Sequence, residues 1–410
     1  MNKRHIFLDK VIEQVKSKDA KDSIKLEMEH HIQLAKEGWI KKGLQEKEAE
    51  ERAIKEMGSP ILLGLELNQL HRLTVDWMVF ACTVCLLMIG LLPNITSDLL
   101  FIAEKLWTIL LGVGIVVGIM FLDYRKCKEL GYVFYMIGSI LLLSVILFSN
   151  ITINGINYLK VGPIIIKGIM AIPFFLLAWA SLFTKKNFSY LSFLLFFFFS
   201  SILFYLGYDS ISTVFIYYTM VVVMLFWSSF SKKQIVLSIV TGAVLFILLF
   251  GYAFFARLHR LLGFLFPDRY AQDVGWIYLY REKMWASLKW IGSSDMELLS
   301  FVNRTDTVFL QLSSQFGYVI AVVIVILFSA LIIKMIRNVR YIKNRYGKLL
   351  LIGAIALYSI QVIYNIGMCM GLFPIISLSL PFISYGLMPT IINALLIGLV
   401  LSINRRKNIS

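Results

Sequence analysis

The sequence predicts an all-α polytopic membrane protein, with about ten transmembrane helices preceded by a small helical bundle on the cytoplasmic side. Three observations carry this expectation. Of 410 residues, 59% are hydrophobic and only 16% are charged, whereas soluble domains carry about a quarter charged residues. After residue 73 the apolar residues fall into successive runs of about 20, the length that crosses a bilayer core. The basic residues outside one large loop sit mostly in alternate short links between these runs, where they set topology. The net charge of +15 therefore follows from membrane orientation and excludes nucleic acid as its explanation. Mean hydropathy is +0.77.

Residues 1–72 read as a separate cytoplasmic helical domain. Ile6, Leu8, Val11, Ile12 and Val15 recur at helical spacing, and Ile24, Leu26, Met28, Ile32, Leu34 and Trp39 continue the pattern over Lys21 to Lys42. Gly43 is a stop signal, and Gly58-Ser59-Pro60 closes a third helix that begins at Glu46. Ile61 to His71 supplies a fourth. A core this small yields only a few kcal/mol, so docking or self-association is expected of it. His30 and His31 diverge by about 100° on a helix and read as solvated rather than metal-binding. The N-terminus is charged over about 70 residues and shows no cleavable signal peptide.

Residues 73–410 form the membrane domain. The apolar runs fall at 74–92, 105–122, 131–149, 163–183, 188–206, 210–229, 234–256, 307–333, 349–373 and 385–403. Basic links at Arg125-Lys126, Lys185-Lys186, Lys232-Lys233, Lys334 to Lys348 and the Arg405-Arg406-Lys407 tail place both termini in the cytoplasm. Cys82, Cys85, Cys127 and Cys369 are too few and scattered for a disulfide framework. Cys82 and Cys85 lie inside an apolar helix and read as packing or lipid-facing residues, and the Phe196 to Phe199 run reads as lipid-facing bulk.

The large loop, residues 257–306, falls on the outside yet is basic. Arg257, Arg260, Arg269, Arg281, Lys283 and Lys289 lie in it, which points to an anionic ligand at the outer face. The loop closes on Asp306, which opens the next apolar run. An ionisable group at a membrane span is a functional candidate, although Asp is also an ordinary helix cap. The last two runs are joined by Gly371-Leu372-Phe373-Pro374 and Leu380-Pro381-Phe382-Ile383-Ser384-Tyr385-Gly386. Two prolines and glycines predict a rigid outside hairpin, with irregular backbone of the kind tolerated where it lines a cavity.

This C-terminal hairpin, with Asn365-Ile366-Gly367-Met368 before it, strongly resembles the signature of the SEDS family (shape, elongation, division and sporulation proteins, the FtsW, RodA and SpoVE group). The resemblance extends to Arg260, Phe264, Pro267 and Gly275-Trp276 in the loop and to Thr305-Asp306 with Val308, Phe309 and Phe316-Gly317. It also takes in Asn154-Gly155 and Val161-Gly162-Pro163 before span four, covering roughly residues 74–405. Residues 1–72 resemble the helical prefix domain found ahead of some bacterial permeases and sensors. The chain departs from the SEDS pattern at several charged positions. Phe301-Val302-Asn303-Arg304 stands before Thr305-Asp306, Ser314-Gln315 replaces a Glu-Glu pair, and Pro173 stands where a lysine is usual.

The resemblance implies a peptidoglycan glycosyltransferase of the bacterial plasma membrane that polymerises lipid II at its outer face beside a class B penicillin-binding protein. It makes Asp306 the general base. Arg260, Lys167 and Arg304 would stabilise the pyrophosphate leaving group, and Thr305, Pro381, Ser384, Tyr385 and Gly386 would line the substrate site. It names no required cofactor; a divalent cation, Mg2+ or Mn2+, is an alternative source of positive charge. Two alternatives stay open. One is a precursor flippase using Gln361, Asn365 and Asn393 as a polar path. The other is a non-catalytic scaffold, which the lost charges favour.

Overall fold

The computed structural model describes residues 3–16, 18–94, 99–153, 156–162, 164–207, 211–255, 258–294 and 306–408. The chain divides into two compact units, one of Met1–Val75 with Asn404–Ser410 and one of Asp76–Ile403.

The first unit holds α1 (Lys3–Glu13), α2 (Lys18–Lys41), α3 (Glu46–Glu56) and α4 (Pro60–Leu70). Its core is a single stripe: Ala20, Ile24, Met28 and Ile32 of α2 recur every four residues and meet Phe7, Leu8, Val11 and Val15. The expected pattern is corrected in register. Phe7 is buried and Ile6 is exposed, and Leu26 and Leu34 face solvent. Positions 26 and 34 lie on the opposite side of α2 from 24, 28 and 32. Trp39 is fixed by its indole N–H to Glu56 (3.0 Å) and by the cations of Lys42 and Arg52 over its ring. His30 and His31 are exposed.

The second unit is a multi-pass membrane domain. Among the described residues, six helices are long and apolar enough to cross a membrane, and four shorter apolar helices accompany them. They are α5 (Trp77–Ile89), α6 (Leu99–Phe121), α7 (Gly131–Phe148), α8 (Ile172–Leu182), α9 (Tyr190–Leu206), α10 (Ile211–Leu225), α11 (Lys232–Phe255), α15 (Tyr318–Val339), α16 (Arg345–Met370) and α17 (Leu387–Arg405), with the short α12 (Leu258–Leu265), α13 (Trp276–Ala286) and α14 (Val308–Phe316) between α11 and α15. Asp76 caps α5 by accepting from the Val79 N–H, and it also accepts from Asn338 near the end of α15 at 2.8 Å. Asn344 caps α16 at the Gly347 N–H.

The aromatic core joins α7, α8, α9 and α10. Trp179 donates to the Tyr217 hydroxyl (3.1 Å), which also pairs with Ser200 (2.7 Å), and the rings of Tyr135, Phe175, Phe197 and Phe204 pack around them. The polyphenylalanine run is thus divided by the helical period: Phe197 is buried and Phe199 is exposed. Cys82 is buried and Cys85 exposed, both as free thiols.

Two spans differ from expectation. Span four starts later than residue 163. Residues before it form β1 (Ile151–Ile153), β2 (Ile156–Val161) and β3 (Ile164–Ile166), an antiparallel sheet in the order β1-β2-β3. Isoleucine-rich segments suit strands as well as membrane helices, and Gly162 at φ +60 makes the turn between β2 and β3. Span eight is broken. Gly317, at φ +86, separates α14 from α15, and a Cβ there would lie 2.5 Å from the Lys289 carbonyl oxygen. That carbonyl and the one of Trp290 accept from the N–H groups of Tyr318 and Val319, closing the start of α15.

Candidate active site

Asp306 stands immediately before α14 and is 7% exposed. The N-cap residue of α14 is Thr307, so Asp306 lies one position outside the cap. Its backbone is held from α16: the Asn365 amide nitrogen donates to the Asp306 carbonyl at 2.8 Å. The same nitrogen donates to the Leu378 carbonyl at 2.5 Å. Asn365 therefore joins the entry of α14 to the segment between α16 and α17.

That segment is the expected hairpin. Gly371, at φ +94, ends α16 in the left-handed conformation, and Leu372 N–H closes onto the Gly367 carbonyl at 2.8 Å. Further on, Leu380 and Ser384 pair twice: the Leu380 N–H reaches the Ser384 hydroxyl at 2.7 Å, and the Ser384 N–H reaches the Leu380 carbonyl at 3.1 Å. Phe382 sits between them at φ +66, an uncommon conformation for a bulky residue. Its ring is 1% exposed and stacks on Tyr358. Lys105 of α6 donates to the Ile383 and Ser384 carbonyls at 3.4 and 3.1 Å, with its ammonium 5.4 Å from the Tyr385 ring centre.

From the described part of the large loop, α13 packs on this region. Arg281 on α13 donates to the Met368 carbonyl at 2.7 Å, and Trp285 donates to the Cys369 carbonyl at 2.6 Å. The Ile375 N–H donates to the Tyr278 hydroxyl at 3.3 Å. A cation against the last carbonyls of α16 is where the helix dipole favours one. Burial draws Arg281 below the ordinary guanidinium range, and its charge persists because an arginine is not deprotonated in proteins. Arg281 therefore has one donor committed to the protein itself, which leaves less of its hydrogen-bonding capacity for an anionic ligand than its place in the loop suggests. A small, apolar cleft of about 20 Å³ lies beside it, lined by Tyr280, Arg281, Thr307, Leu310, Cys369 and Ile375. Its lining reaches the residue after Asp306.

The other expected site residues are dispersed. Lys167 is half-buried in extended backbone ahead of α8, over the Tyr158 ring at 5.3 Å, and so lies before its span rather than inside it. Arg260 is exposed on α12. Among the described residues, neither makes a hydrogen bond or ion pair with Asp306. Pro381 and Ser384 are buried in the hairpin, and the Ser384 hydroxyl is engaged with Leu380. Tyr385 is half-buried, and Gly386, at φ +118, is exposed. Arg257, Arg304 and Thr305 lie outside the described residues. Among the described residues no three His, Cys, Asp or Glu side chains come together to hold a metal ion.

Two contributors escape sequence reasoning. Lys105 falls at the start of the expected span two, and its signal is a lone cation inside an apolar run. Asn365 reads in the sequence as part of the resembled signature and as one residue of a polar path, but its tie to Asp306 spans 59 positions and is not legible there.

A protein-family model described as a cell cycle protein, for FtsW, RodA and SpoVE, matches residues 72–409. The stage V sporulation protein E of Bacillus subtilis is 34% identical over 102 residues, which is 25% of this chain and 28% of that protein. A probable peptidoglycan glycosyltransferase FtsW of Trichlorobacter lovleyi is 26% identical over 153 residues, 36% of this chain and 40% of that protein. The alignments to these two thus span well under two thirds of their lengths. A probable peptidoglycan glycosyltransferase FtsW of Idiomarina loihiensis matches more extensively, at 25% identity over 81% of this chain and 87% of its own. Among solved structures, a chain of a peptidoglycan synthase complex that coordinates polymerization and crosslinking superimposes with a TM-score of 0.68, at 21% identity, over 82% of this chain and 99% of that one. The rod shape determining protein RodA of Thermus thermophilus gives 0.59 at 19% identity, over 81% of this chain and 96% of that one. At these identities the structures support the fold alone.

Proposed function

This chain belongs to the FtsW/RodA/SpoVE family of cell cycle proteins, and from that premise we propose that it polymerises peptidoglycan glycan strands from lipid II at the outer face of the bacterial plasma membrane. The observation that carries the proposal is Asp306. The carboxylate residue is buried at the entry of α14, beside a cleft, with its backbone tied through Asn365 to the hairpin. Asp306 takes the proton from the acceptor sugar hydroxyl as that oxygen attacks the anomeric carbon of the donor. The bond from that carbon to the lipid pyrophosphate breaks, and the pyrophosphate leaves with the bonding pair. A base positioned in this way contributes roughly 10² to 10⁴-fold. Arg260, Lys167 and Arg304 are the cations proposed to meet the leaving group, and Thr305, Pro381, Ser384, Tyr385 and Gly386 to shape the site. No step passes through a metal.

Both termini are assigned to the cytoplasm on the distribution of basic links. A class B penicillin-binding protein is the proposed partner, supported by the likeness of fold to a chain of a synthase complex. Residues 1–72 are proposed as a separate cytoplasmic domain, with 73–410 carrying the chemistry and the loop 257–306 covering the outer face.

The test is polymerisation of lipid II by the purified protein, alone and with candidate class B penicillin-binding proteins, beside Asp306→Ala. Polymer from the wild type and at least a roughly 100-fold loss in the variant is expected. Protein that binds lipid II but makes no polymer under any partner condition points instead to the scaffolding alternative.

A further inference from the structure

The Asn365 carboxamide is fully buried, and its single nitrogen meets two main-chain carbonyls from different elements, Asp306 at 2.8 Å and Leu378 at 2.5 Å. An amide NH2 has two hydrogens, so both are committed. No other side chain of the same size supplies two neutral donors from one atom. The far arm of the same hairpin rests on Lys105, 4% exposed in α6, whose ammonium holds the Ile383 and Ser384 carbonyls. Ser384 and Leu380 cross-brace the hairpin between these two anchors. The approach is close from a third side as well, because a Cβ on Gly90 would lie 3.0 Å from the carbonyl oxygens of both Phe382 and Ile383.

We infer that Asn365 and Lys105 are positioning residues for Asp306, acting in series through the Leu378 to Ser384 hairpin. Asn365 couples the Asp306 backbone to the hairpin, and Lys105 fixes the hairpin against α6. Neither touches a reacting atom. Their effect is on where the Asp306 carboxylate stands, and a displacement of about 1 Å costs on the order of 100-fold in rate. This inference rests on the polymerase reading for its kinetic arm and is independent of it for its structural arm.

The experiment pairs two readouts on full-length wild type, Asn365→Ala, Asn365→Asp, Lys105→Met and Lys105→Arg. Hydrogen exchange followed by mass spectrometry reports peptides over 306–316 and over 378–386. Lipid II polymerisation reports kcat and KM separately. The expected result is faster exchange in both segments together for Asn365→Ala and Lys105→Met. A fall in kcat of about 10 to 100-fold with KM unchanged accompanies it. Asn365→Asp, isosteric but without the donor hydrogens, behaves like Asn365→Ala, and Lys105→Arg stays within about threefold of wild type. If Lys105→Met loosens 378–386 while 306–316 keeps its protection, the series coupling is overturned. If KM rises in place of a fall in kcat, the residues bind substrate and the positioning role is wrong. Should the Asn365 variants fail to fold, the exchange pattern of Lys105→Met still decides. Wild-type protein that makes no polymer yet shows the coupled exchange sinks the polymerase reading and leaves the positioning standing.

Discussion

At the scale of single residues, two cations that look alike in composition do different work from what their positions suggest. Arg281 belongs to a loop whose basic excess points to anion binding, yet it is 8% exposed and donates to the Met368 carbonyl at the end of α16. Hydrogen bonds to charged groups contribute about 1.5–3 kcal/mol, and without the guanidinium the Met368 carbonyl keeps only its longer bond from the Gly371 N–H at 3.3 Å. Arg281→Ala is therefore expected to destabilise the folded protein by about 2 kcal/mol, measured as a lower thermal midpoint in detergent. Arg281→Lys should restore part of it, since a single ammonium lacks the planar fork. An unchanged midpoint in Arg281→Ala would leave this arginine in the ligand-binding set. Asp306 is legible in the sequence because a carboxylate at the start of an apolar run is conspicuous. Lys105 is not, because averaging over 20 apolar residues hides one cation, and nothing local reveals the carbonyls of residues 383 and 384 that receive it.

At the scale of elements, the sequence marks apolar runs more reliably than the secondary structure within them. Ile151 to Ile166 and the helices of the bundle draw on the same residue types, so hydropathy alone extends span four back to residue 163, across the β3 strand Ile164–Ile166. The break between α14 and α15 hides for a different reason. Phe316-Gly317-Tyr318 is apolar on both sides, and a lone glycine in a span is ordinary. Its necessity lies in φ +86 with ψ −172, a region open essentially to glycine alone, and in the Lys289 and Trp290 carbonyl oxygens, which would stand 2.5 and 2.6 Å from any added Cβ. Gly317→Ala should lower stability by at least about 1–3 kcal/mol, read from thermal unfolding. It should also reduce polymerisation, because α14 carries Asp306 at its entry. A variant as stable as wild type would mean that the break is not fixed by the backbone. The C-terminal hairpin is the opposite case. Pro374 and Pro381 fix φ, and Gly371 and Gly386 admit the positive φ of +94 and +118 that the turns require, so its location can be read without its contacts.

At the scale of the whole molecule, the family match begins at residue 72, where the helical prefix ends. The prefix has its own core, built on Phe7, Leu8, Val11, Ile24, Met28 and Ile32. Its surface pairs, Lys3 with Glu51 and Lys36 with Glu46, join residues of the prefix to each other. The candidate site draws its described members from α6, the segment before α8, α12, α13, α14 with the residue before it, α16 and the hairpin, all within Asp76–Ile403. If chemistry follows the site, a protein lacking the bundle should polymerise lipid II within about threefold of the full chain when both are purified and monodisperse. That tolerance is below about 1 kcal/mol in the barrier. The tail bears on the design of this deletion, because the Thr74 N–H donates to the Arg405 carbonyl and Asn408 donates to Arg72, so Arg72 to Thr74 are best kept. A chain beginning at Arg72 retains both contacts and loses only the bundle. Retained turnover would assign the prefix to docking or self-association, which a small helical core with exposed Leu26, Leu34, Ile61 and Leu62 is suited to supply. Loss of turnover from a truncated protein with an unchanged thermal midpoint would make the prefix part of the catalytic unit, and the boundary near residue 72 would then separate two folds but not two functions.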